Sequence, residues 1–440
     1  MPDHIPPPDD GLKLLPDNAI HGVPGDRFGF APHARVLCNA LEGTEDLPLT
    51  VGIFGPWGTG KSSFMNVCRD LLRQRNVPTI WFNPWKYDRK DEVWHALIQT
   101  VLTEIASDLE KSRDSGNEPW RDRVTRTLAT VKQLSRTAAW LLARSAVGPL
   151  SGGIVRGEDV DRLQETVDEQ GTEAYAHVNR FEQDFRDVVR DYTGDGRLVL
   201  FIDDLDRCTQ DAAITVLDSL KLFLGEASCV FVLAMDQQAI TEAAAAKLKD
   251  SSAGLVKGQQ YLEKLIHFPY HLPGVPFEAL YRQFQTDIRP AGLASSRELW
   301  ELVRVALGTN PRRVRRFING LNLTAATYAL HHQPPSVHRL LQAAVLLVLR
   351  MLHPAFFLLL QEDPEIWKRF NEAELRTTGP IGPDEVIDKQ NPGVRRLLAA
   401  VSTHRDGFEF PPPPKAEELR LLTEVLTVTG GLPSAPDGSS

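Results

Sequence analysis

Cysteine is scarce in this sequence of 440 residues, and none of the four cysteines is spaced from another as CxxC. Isolated cysteines of this kind are typical of reduced side chains that pack inside a protein. The histidines at 267–271 and 331–332 also lack carboxylate or cysteine partners at the spacing of metal ligands. The sequence therefore argues against a disulfide framework and predicts no structural metal.

Long uninterrupted apolar runs are missing as well. A membrane-spanning helix needs about 20 apolar residues, whereas segment 137–150 is shorter and is interrupted by Arg144 and Pro149. Segment 343–360 is apolar but carries an arginine, a histidine and a proline near its centre. A central charge costs about 2.5–3.5 kcal/mol in a bilayer. We expect no membrane insertion, and a buried helix pair with a break at residues 353–354.

Positive charge is not in excess either, because the formal net charge is −9. This charge disfavours a globally basic nucleic-acid-binding protein. The first ten residues are acidic and Pro-rich rather than basic and then apolar, so we predict no signal peptide and a cytoplasmic protein. With 42% hydrophobic and 24% charged residues, the composition is that of a globular chain long enough for two or three domains.

A glycine-rich motif carries the clearest functional signal. Residues 55–62 read GPWGTGKS, a complete GxxxxGK[ST] phosphate loop, with an apolar run before it and apolar residues at helical spacing after it. In such a loop, backbone N–H groups and a helix N-terminus bind phosphate oxygens. Lys61 is predicted to contact the β- and γ-phosphates, and Ser62 to ligate Mg²⁺. The predicted nucleotide-binding residues of the loop are Gly55, Pro56, Trp57, Gly58, Thr59, Gly60, Lys61, Ser62 and Ser63.

An acidic segment follows a second apolar run. The sequence DDLDR at 203–207 comes directly after five apolar residues typical of a buried strand. Three crowded carboxylates repel one another unless a cation lies among them, so this segment is a Walker B candidate. Asp203 is predicted to hold Mg²⁺ and Asp204 to activate the attacking water, with Asp206 as the alternative. Arg207 either pairs with Asp206 or takes part in catalysis.

Five segments of the chain resemble the KAP family of P-loop NTPases. They are GPWGTGKS at 55–62, WFNPWKY at 81–87, FIDDLDRC at 201–208, VFVLAMD at 230–236 and NPRR at 310–313. The resemblance runs from about Asp26 to Leu323. It implies an α/β P-loop NTPase sandwich with a parallel five-stranded core, in which an extra strand separates the phosphate-loop strand from the Walker B strand. Many family members carry membrane helices between the Walker motifs, and that insert is predicted to be missing here.

An arginine-rich helix start is predicted at the last of these segments. Asn310 is suited to cap the helix and Pro311 to begin it, which puts Arg312 and Arg313 in its first turn. A cation there opposes the helix dipole at about 0.3–1 kcal/mol, so an anion is the expected neighbour. The family motif implies that Arg312 reads the γ-phosphate as the sensor arginine of a helical lid. Contact with a nucleic-acid backbone, or a solvated arginine face, are the alternatives.

Two further polar residues follow predicted core strands, where ligands bind in open α/β sheets. Asn83 is a candidate to hydrogen-bond the γ-phosphate or the attacking water. Asp236 is a candidate γ-phosphate sensor, although an N-cap for the following helix explains it equally well.

The motifs and composition predict the domain organisation, together with one long amphipathic helix leading to the Walker B strand. We expect a poorly ordered Pro-rich arm at 1–25, an NTPase core at 26–273 with a helical insertion at 107–195, a helical lid at 274–334, a helical region at 335–429 and a disordered tail at 430–440.

The function that the sequence favours is a Mg²⁺-dependent ATPase acting as a nucleotide-driven conformational or oligomeric switch. ATP is preferred over GTP because no NKxD-type guanine motif is present. The family resemblance adds a role in bacterial anti-phage or exclusion defence. The alternatives are an ATP-gated interaction scaffold with negligible turnover and a nucleic-acid-associated ATPase. We expect a homo-oligomer and a protein partner of unknown identity.

Overall fold

The chain forms two compact units. We call Ala19–Pro273 the core unit, and Met1–Asn18 together with Gly274–Ser440 the helical unit. A computed structural model describes residues 12–87, 90–112, 122, 124–135, 170–194, 196–223, 228–247, 254–290, 292–331, 335–362, 394, 397 and 414–429. The predicted tail at 430–440 and much of the predicted insertion lie outside the described residues.

The core unit alternates strands and helices along the chain. Its strands are β1 (Leu49–Phe54), β2 (Thr79–Phe82), β3 (Leu198–Ile202), β4 (Cys229–Met235) and β5 (Phe268–His271). Its helices with defined bounds are α1 (Phe30–Gly43), α2 (Lys61–Gln74), α3 (Lys90–Ser112), α4 (Gln170–Thr193), α5 (Gln210–Phe223), α6 (Gln237–Lys247) and α7 (Gly254–Leu265). Short 3₁₀ helices span Val23–Gly25, Pro84–Lys86 and Leu205–Arg207.

The five strands form one parallel sheet in the order β2-β3-β4-β1-β5. Strand β4 lies between β1 and β3, so the predicted extra strand between the phosphate-loop strand and the Walker B strand is confirmed. The predicted parallel five-stranded α/β fold is confirmed with it. Because all strands run the same way, the loops that follow β1, β2, β3 and β4 leave the same edge of the sheet.

Burial explains why these segments form central strands. Every residue of β3 and β4 is buried, and so is every residue of β1 except Leu49. Such continuous apolar runs are typical of parallel sheets that helices cover on both faces. Helix α4 leads to β3 and buries Phe181, Phe185 and Val188, which confirms the predicted amphipathic helix.

From residue 274 onward, the described part of the helical unit consists of helices joined by turns and loops. The helices are α8 (Phe277–Phe284), α9 (Arg297–Leu302), α10 (Pro311–His331), α11 (Val337–Leu352), α12 (Pro354–Glu362) and α13 (Ala416–Thr429). Helix α11 is buried from Leu340 to Leu349, and it ends at Leu352; His353 is its C-cap and precedes the proline that begins α12. The predicted helix pair with a break at 353–354 is confirmed. Within the described ranges, no helix is long and apolar enough to cross a membrane.

The N-terminal segment differs from the expectation. Residues 12–25 were predicted as part of a poorly ordered arm, yet they make specific hydrogen bonds. The Leu15 N–H donates to the Asn319 side chain in the helical unit. In the core unit, the Ile20 N–H donates to Ser63 Oγ and the Val23 N–H to Asp70 Oδ2. Side chains of two helices therefore order a stretch whose composition suggested a loose arm.

Candidate functional site

The phosphate loop joins β1 to α2, as its motif predicts, and its glycines are required by the backbone. Gly58 and Gly60 have φ angles of 86° and 104°, a region that other residues rarely adopt. A Cβ on Gly60 would lie 2.8 Å from Phe30 Cζ, so a side chain does not fit there. Thr59 Oγ1 donates to the Pro56 carbonyl over 2.8 Å and closes the turn. The chain thus forms a tight cradle at the N-terminus of α2.

Lys61 begins α2, and its side chain is only 8% exposed. Its Nζ donates to the Gly55 carbonyl over 2.8 Å and to Asp206 Oδ2 over 3.1 Å. A buried ammonium needs such partners, because removing it from water is costly unless it is paired. Asp206, the alternative candidate for water activation, is therefore the ion-pair partner of Lys61 in this structure.

Ser62 lies in the first turn of α2, Asp203 directly follows β3, and the two side chains are in contact. The Ser62 hydroxyl donates to Asp203 Oδ1 over 2.9 Å, and the Asp204 N–H donates to the same oxygen over 2.9 Å. Burial raises the pKa of Asp203 to about 6, and the charges of Asp204 and Asp206 also raise it, while the two hydrogen bonds lower it. A buried carboxylate crowded by two others, with a hydroxyl beside it, suits a hard divalent cation. The residues present therefore fit Mg²⁺.

Asp204 is held at both carboxylate oxygens. Its Oδ1 forms an ion pair with Arg207, 2.8 Å from Nε, and its Oδ2 accepts a hydrogen bond from Asn83 Nδ2 over 2.9 Å. The Asn83 side-chain oxygen is itself fixed by the Trp85 N–H over 3.0 Å. Asp204 also has a φ of 58°, a left-handed conformation that is uncommon outside glycine. Strained residues of this kind persist where their surroundings fix them and cluster at functional sites.

Arg207 pairs with Asp204 and not with Asp206, so the first of its two predicted alternatives is wrong and the catalytic role stays a prediction. The short 3₁₀ turn Leu205–Arg207 folds its guanidinium back onto Asp204, three residues earlier. The guanidinium also lies over two indole rings, 5.8 Å from the Trp57 centroid and 5.2 Å from the Trp85 centroid. Both tryptophans are more than half exposed. We call Arg207, Trp57 and Trp85 the indole–arginine cluster; the sequence analysis did not predict it.

Two other candidate residues are occupied by local contacts. Asp236 Oδ1 accepts from the Gln238 and Ala239 N–H groups, at 3.0 and 3.3 Å, and so caps α6. Ser63 Oγ accepts the Ile20 N–H over 3.2 Å. For Asp236 the capping alternative thus has a direct structural basis, and a role in sensing phosphate stays a prediction.

Arg312 lies in the helical unit, in the first turn of α10. Asn310 Oδ1 accepts from the Arg312 and Arg313 N–H groups at 3.1 and 3.2 Å, as expected of an N-cap. The predicted anionic neighbour is present, and it is the carboxylate of Asp17 from the same unit. The role of Arg312 as a γ-phosphate sensor stays a prediction.

The sequence is similar to a known family and to a characterised protein. The family model described as the KAP family P-loop domain matches residues 30–328. The phage T7 exclusion protein of Escherichia coli (strain K12) is 26% identical over 345 residues, covering 69% of this chain. The chain spans only 42% of the length of that relative.

Two solved structures were also compared with the chain. The Aeropyrum pernix ORC2 protein (ADPNP–ADP complexes) has 14% identity and a TM-score of 0.31, with 95% of this chain and 97% of that chain covered. The Aeropyrum pernix ORC1 protein in complex with DNA has 12% identity and a TM-score of 0.32, with coverage of 97% and 85%. These scores are too low to add to the fold assignment, which stands on the sheet topology. The match of the family model over more than half of the sequence shows that the chain belongs to the KAP family of P-loop domain proteins.

Proposed function

We propose that the core unit binds ATP with Mg²⁺ and hydrolyses its β–γ phosphoanhydride bond. The observation that carries the proposal is the hydrogen bond from Ser62 to Asp203, because it joins the end of the phosphate loop to the end of β3. In P-loop NTPases the serine of the loop and the Walker B aspartate hold the metal together. Membership of the KAP family supports the same assignment.

The binding step assigns roles to the loop residues. The backbone N–H groups of residues 55–63, except Pro56, which has none, would surround the phosphates at the positive end of α2. Lys61 would exchange Asp206 for the β- and γ-phosphates, which are better partners for a buried ammonium because they carry more charge. Ser62 and Asp203 would hold Mg²⁺, which when bound neutralises charge on the phosphate oxygens. Asp203 would then ionise fully, since the cation offsets the repulsion from its neighbours.

Water activation is assigned to Asp204. A carboxylate has about four lone-pair directions, so the ion pair with Arg207 and the hydrogen bond from Asn83 leave room for a water proton. These two contacts fix the orientation of the carboxylate, which is what a general base requires. Asn83 is therefore proposed to position Asp204 rather than to bind phosphate. For Arg312 we propose only that it contacts the γ-phosphate.

At the level of the whole protein, we propose a nucleotide-driven switch between conformational or oligomeric states that serves exclusion of phage. The name of the Escherichia coli relative, a phage exclusion protein, supports this role, and because the chain spans only 42% of that relative the role is a proposal for this chain. A trans contribution of Arg207 to the nucleotide of a neighbouring subunit would link assembly to hydrolysis, since an added arginine can raise the rate of phosphoryl transfer by roughly 10³–10⁵.

The test is the rate of phosphate release per chain over a series of protein concentrations, with size analysis in matched nucleotide states. We expect turnover with Mg²⁺–ATP that rises per chain with concentration, and larger particles with ATP than without. Asp204→Asn is the control that keeps the loop intact. A folded protein that binds ATP but releases no phosphate at any concentration would favour the ATP-gated scaffold. A constant rate per chain from a monomer would remove the oligomeric switch.

A further inference from the structure

Helix α10 presents a cluster of arginines at its N-terminal end. Arg312, Arg315 and Arg316 are related by three and four positions, so they lie on one side of the helix. Like charges at this spacing destabilise a helix, and cations near its N-terminus also oppose the dipole. Such an arrangement is stabilised by an anion placed among the guanidinium groups.

The chain supplies that anion from its own N-terminal segment. The carboxylate of Asp17 pairs with Arg312, lies 3.3 Å from Arg315 Nη1 and lies 4.0 Å from Arg316 Nη2. Arg312 and Arg315 are largely buried, whereas Asp17 and Arg316 are partly exposed. One carboxylate is thus shared by three guanidinium groups at the edge of solvent.

A second contact fixes the segment that carries Asp17. The Leu15 N–H donates to Asn319 Oδ1 over 2.8 Å, and Asn319 Nδ2 donates to the Leu15 carbonyl over 2.9 Å. The side-chain amide thus binds both backbone groups of one residue, one turn of α10 beyond the arginines. We call residues 12–18 the strap. Its hydrogen bonds to α10 are few and only partly buried, so it can separate from the helix at moderate cost.

We propose that Arg312, Arg315 and Arg316 form a phosphate-binding site on α10, and that the strap blocks this site by placing Asp17 in it. A phosphate group complements the cluster better than a carboxylate does, because it carries up to two charges and offers more acceptor oxygens to guanidinium groups. Phosphate binding and strap docking are therefore mutually exclusive. The inference goes beyond the proposed ATPase because it stands on contacts within the helical unit alone.

The electrostatics of Arg315 agree with this geometry. Burial lowers the pKa of Arg315, and the charge of Arg312 lowers it further, while Asp17 and Asp287 raise it. The guanidinium also lies over the Phe284 ring, 5.8 Å from its centroid, which leaves its polar edge for an anion. Arg315 is thus a partly desolvated cation that depends on nearby negative charge.

The binding test uses inorganic tripolyphosphate and the full chain with Lys61→Ala, which removes the phosphate loop as a competing site. Asp17→Asn keeps the shape of the strap but removes its charge, and Asp46→Asn is the matched control because Asp46 is exposed in the core unit. Relative to the control, we expect Asp17→Asn to tighten the Kd about fivefold, equivalent to about 1 kcal/mol, the scale of one partly exposed ion pair. Adding Arg315→Ala should cancel the gain. Equal Kd values for Asp17→Asn and the control would overturn the proposal.

Displacement of the strap has its own readout in hydrogen exchange at the Leu15 amide, which donates to Asn319. We expect saturating tripolyphosphate to accelerate this exchange with Asp17 intact, and an unchanged rate would refute the blocking role.

A short fluorescein-labelled DNA duplex identifies the source of the phosphate. If duplex binding responds to Asp17→Asn as tripolyphosphate does, the site takes backbone phosphates; if only tripolyphosphate responds, it takes small phosphate ligands. If the parent protein has no ATPase activity, the proposed function is refuted, but the proposed phosphate-binding site on α10 is not affected.

Discussion

Replacing Asp203 by asparagine isolates the energetic cost of one buried carboxylate. The pKa of Asp203 is raised from 3.8 to about 6, mainly by burial and by the neighbouring Asp204. At about 1.36 kcal/mol per pKa unit, ionised Asp203 destabilises the ligand-free core unit by about 3 kcal/mol at neutral pH. Asparagine stays uncharged and can still accept the Ser62 hydrogen bond. We therefore expect the free energy of unfolding of Asp203→Asn at pH 7.5 to exceed that of the parent by up to about 3 kcal/mol.

The sign of the pH dependence follows from the raised pKa. The folded protein binds the Asp203 proton more tightly than the unfolded chain does. The contribution of Asp203 to the free energy of unfolding therefore falls as the pH rises from about 4 to about 6. The gain from Asp203→Asn should accordingly be full above pH 6 and vanish near pH 4. Urea unfolding followed by hydrogen exchange in β3 measures it, with Asp46→Asn as the control. A variant less stable than the parent at pH 7.5, or a gain that persists at pH 4, would refute the reasoning.

Three other predictions concern the loop and the catalytic roles. Asp204→Asn should retain ATP binding and lower kcat by roughly 10²–10⁴ in a phosphate-release assay; loss of turnover only in Asp206→Asn would exchange the two roles. Gly60→Ala should destabilise the protein by roughly 2–4 kcal/mol in thermal melting, since it forces a side chain onto the Phe30 ring at positive φ. Mixtures of Arg207→Ala and Lys61→Ala chains should recover turnover if Arg207 acts in trans, and none if it acts only within its own subunit.

The central strands were predictable because each is a continuous apolar run, and the structure buries almost all of their residues. A fifth strand was predicted, but its position in the sequence, Phe268–His271, was not. It has only four residues, one of them a proline, and as an edge strand three of its four residues are exposed, so no apolar run marks it. Its identity depends on pairing with β1, which only the folded chain reveals.

In the candidate site too, some contacts could be predicted from the sequence and others could not. The sequence analysis proposed both Ser62 and Asp203 as ligands of one Mg²⁺ ion, so their closeness could be expected from the motifs, and the two side chains are hydrogen-bonded. The contact of Asn83 with Asp204 joins residues 121 positions apart and depends on the parallel pairing of β2 with β3. The Arg207 interaction failed as a prediction because a tight turn brings its guanidinium back to Asp204 instead of Asp206.

The central claim is that the phosphate loop of the core unit binds a nucleoside triphosphate. Calorimetric titration of Mg²⁺–ATP into the parent protein, Lys61→Ala and the control Lys111→Ala tests it most directly, since Lys61 is buried at the loop and Lys111 is exposed. We predict binding to the parent and to Lys111→Ala, and loss of binding to Lys61→Ala because a charge-assisted contact to the phosphates is gone. Circular dichroism must show that Lys61→Ala is folded, since its removal leaves Asp206 without its ion pair. Unchanged ATP affinity in folded Lys61→Ala would contradict the account.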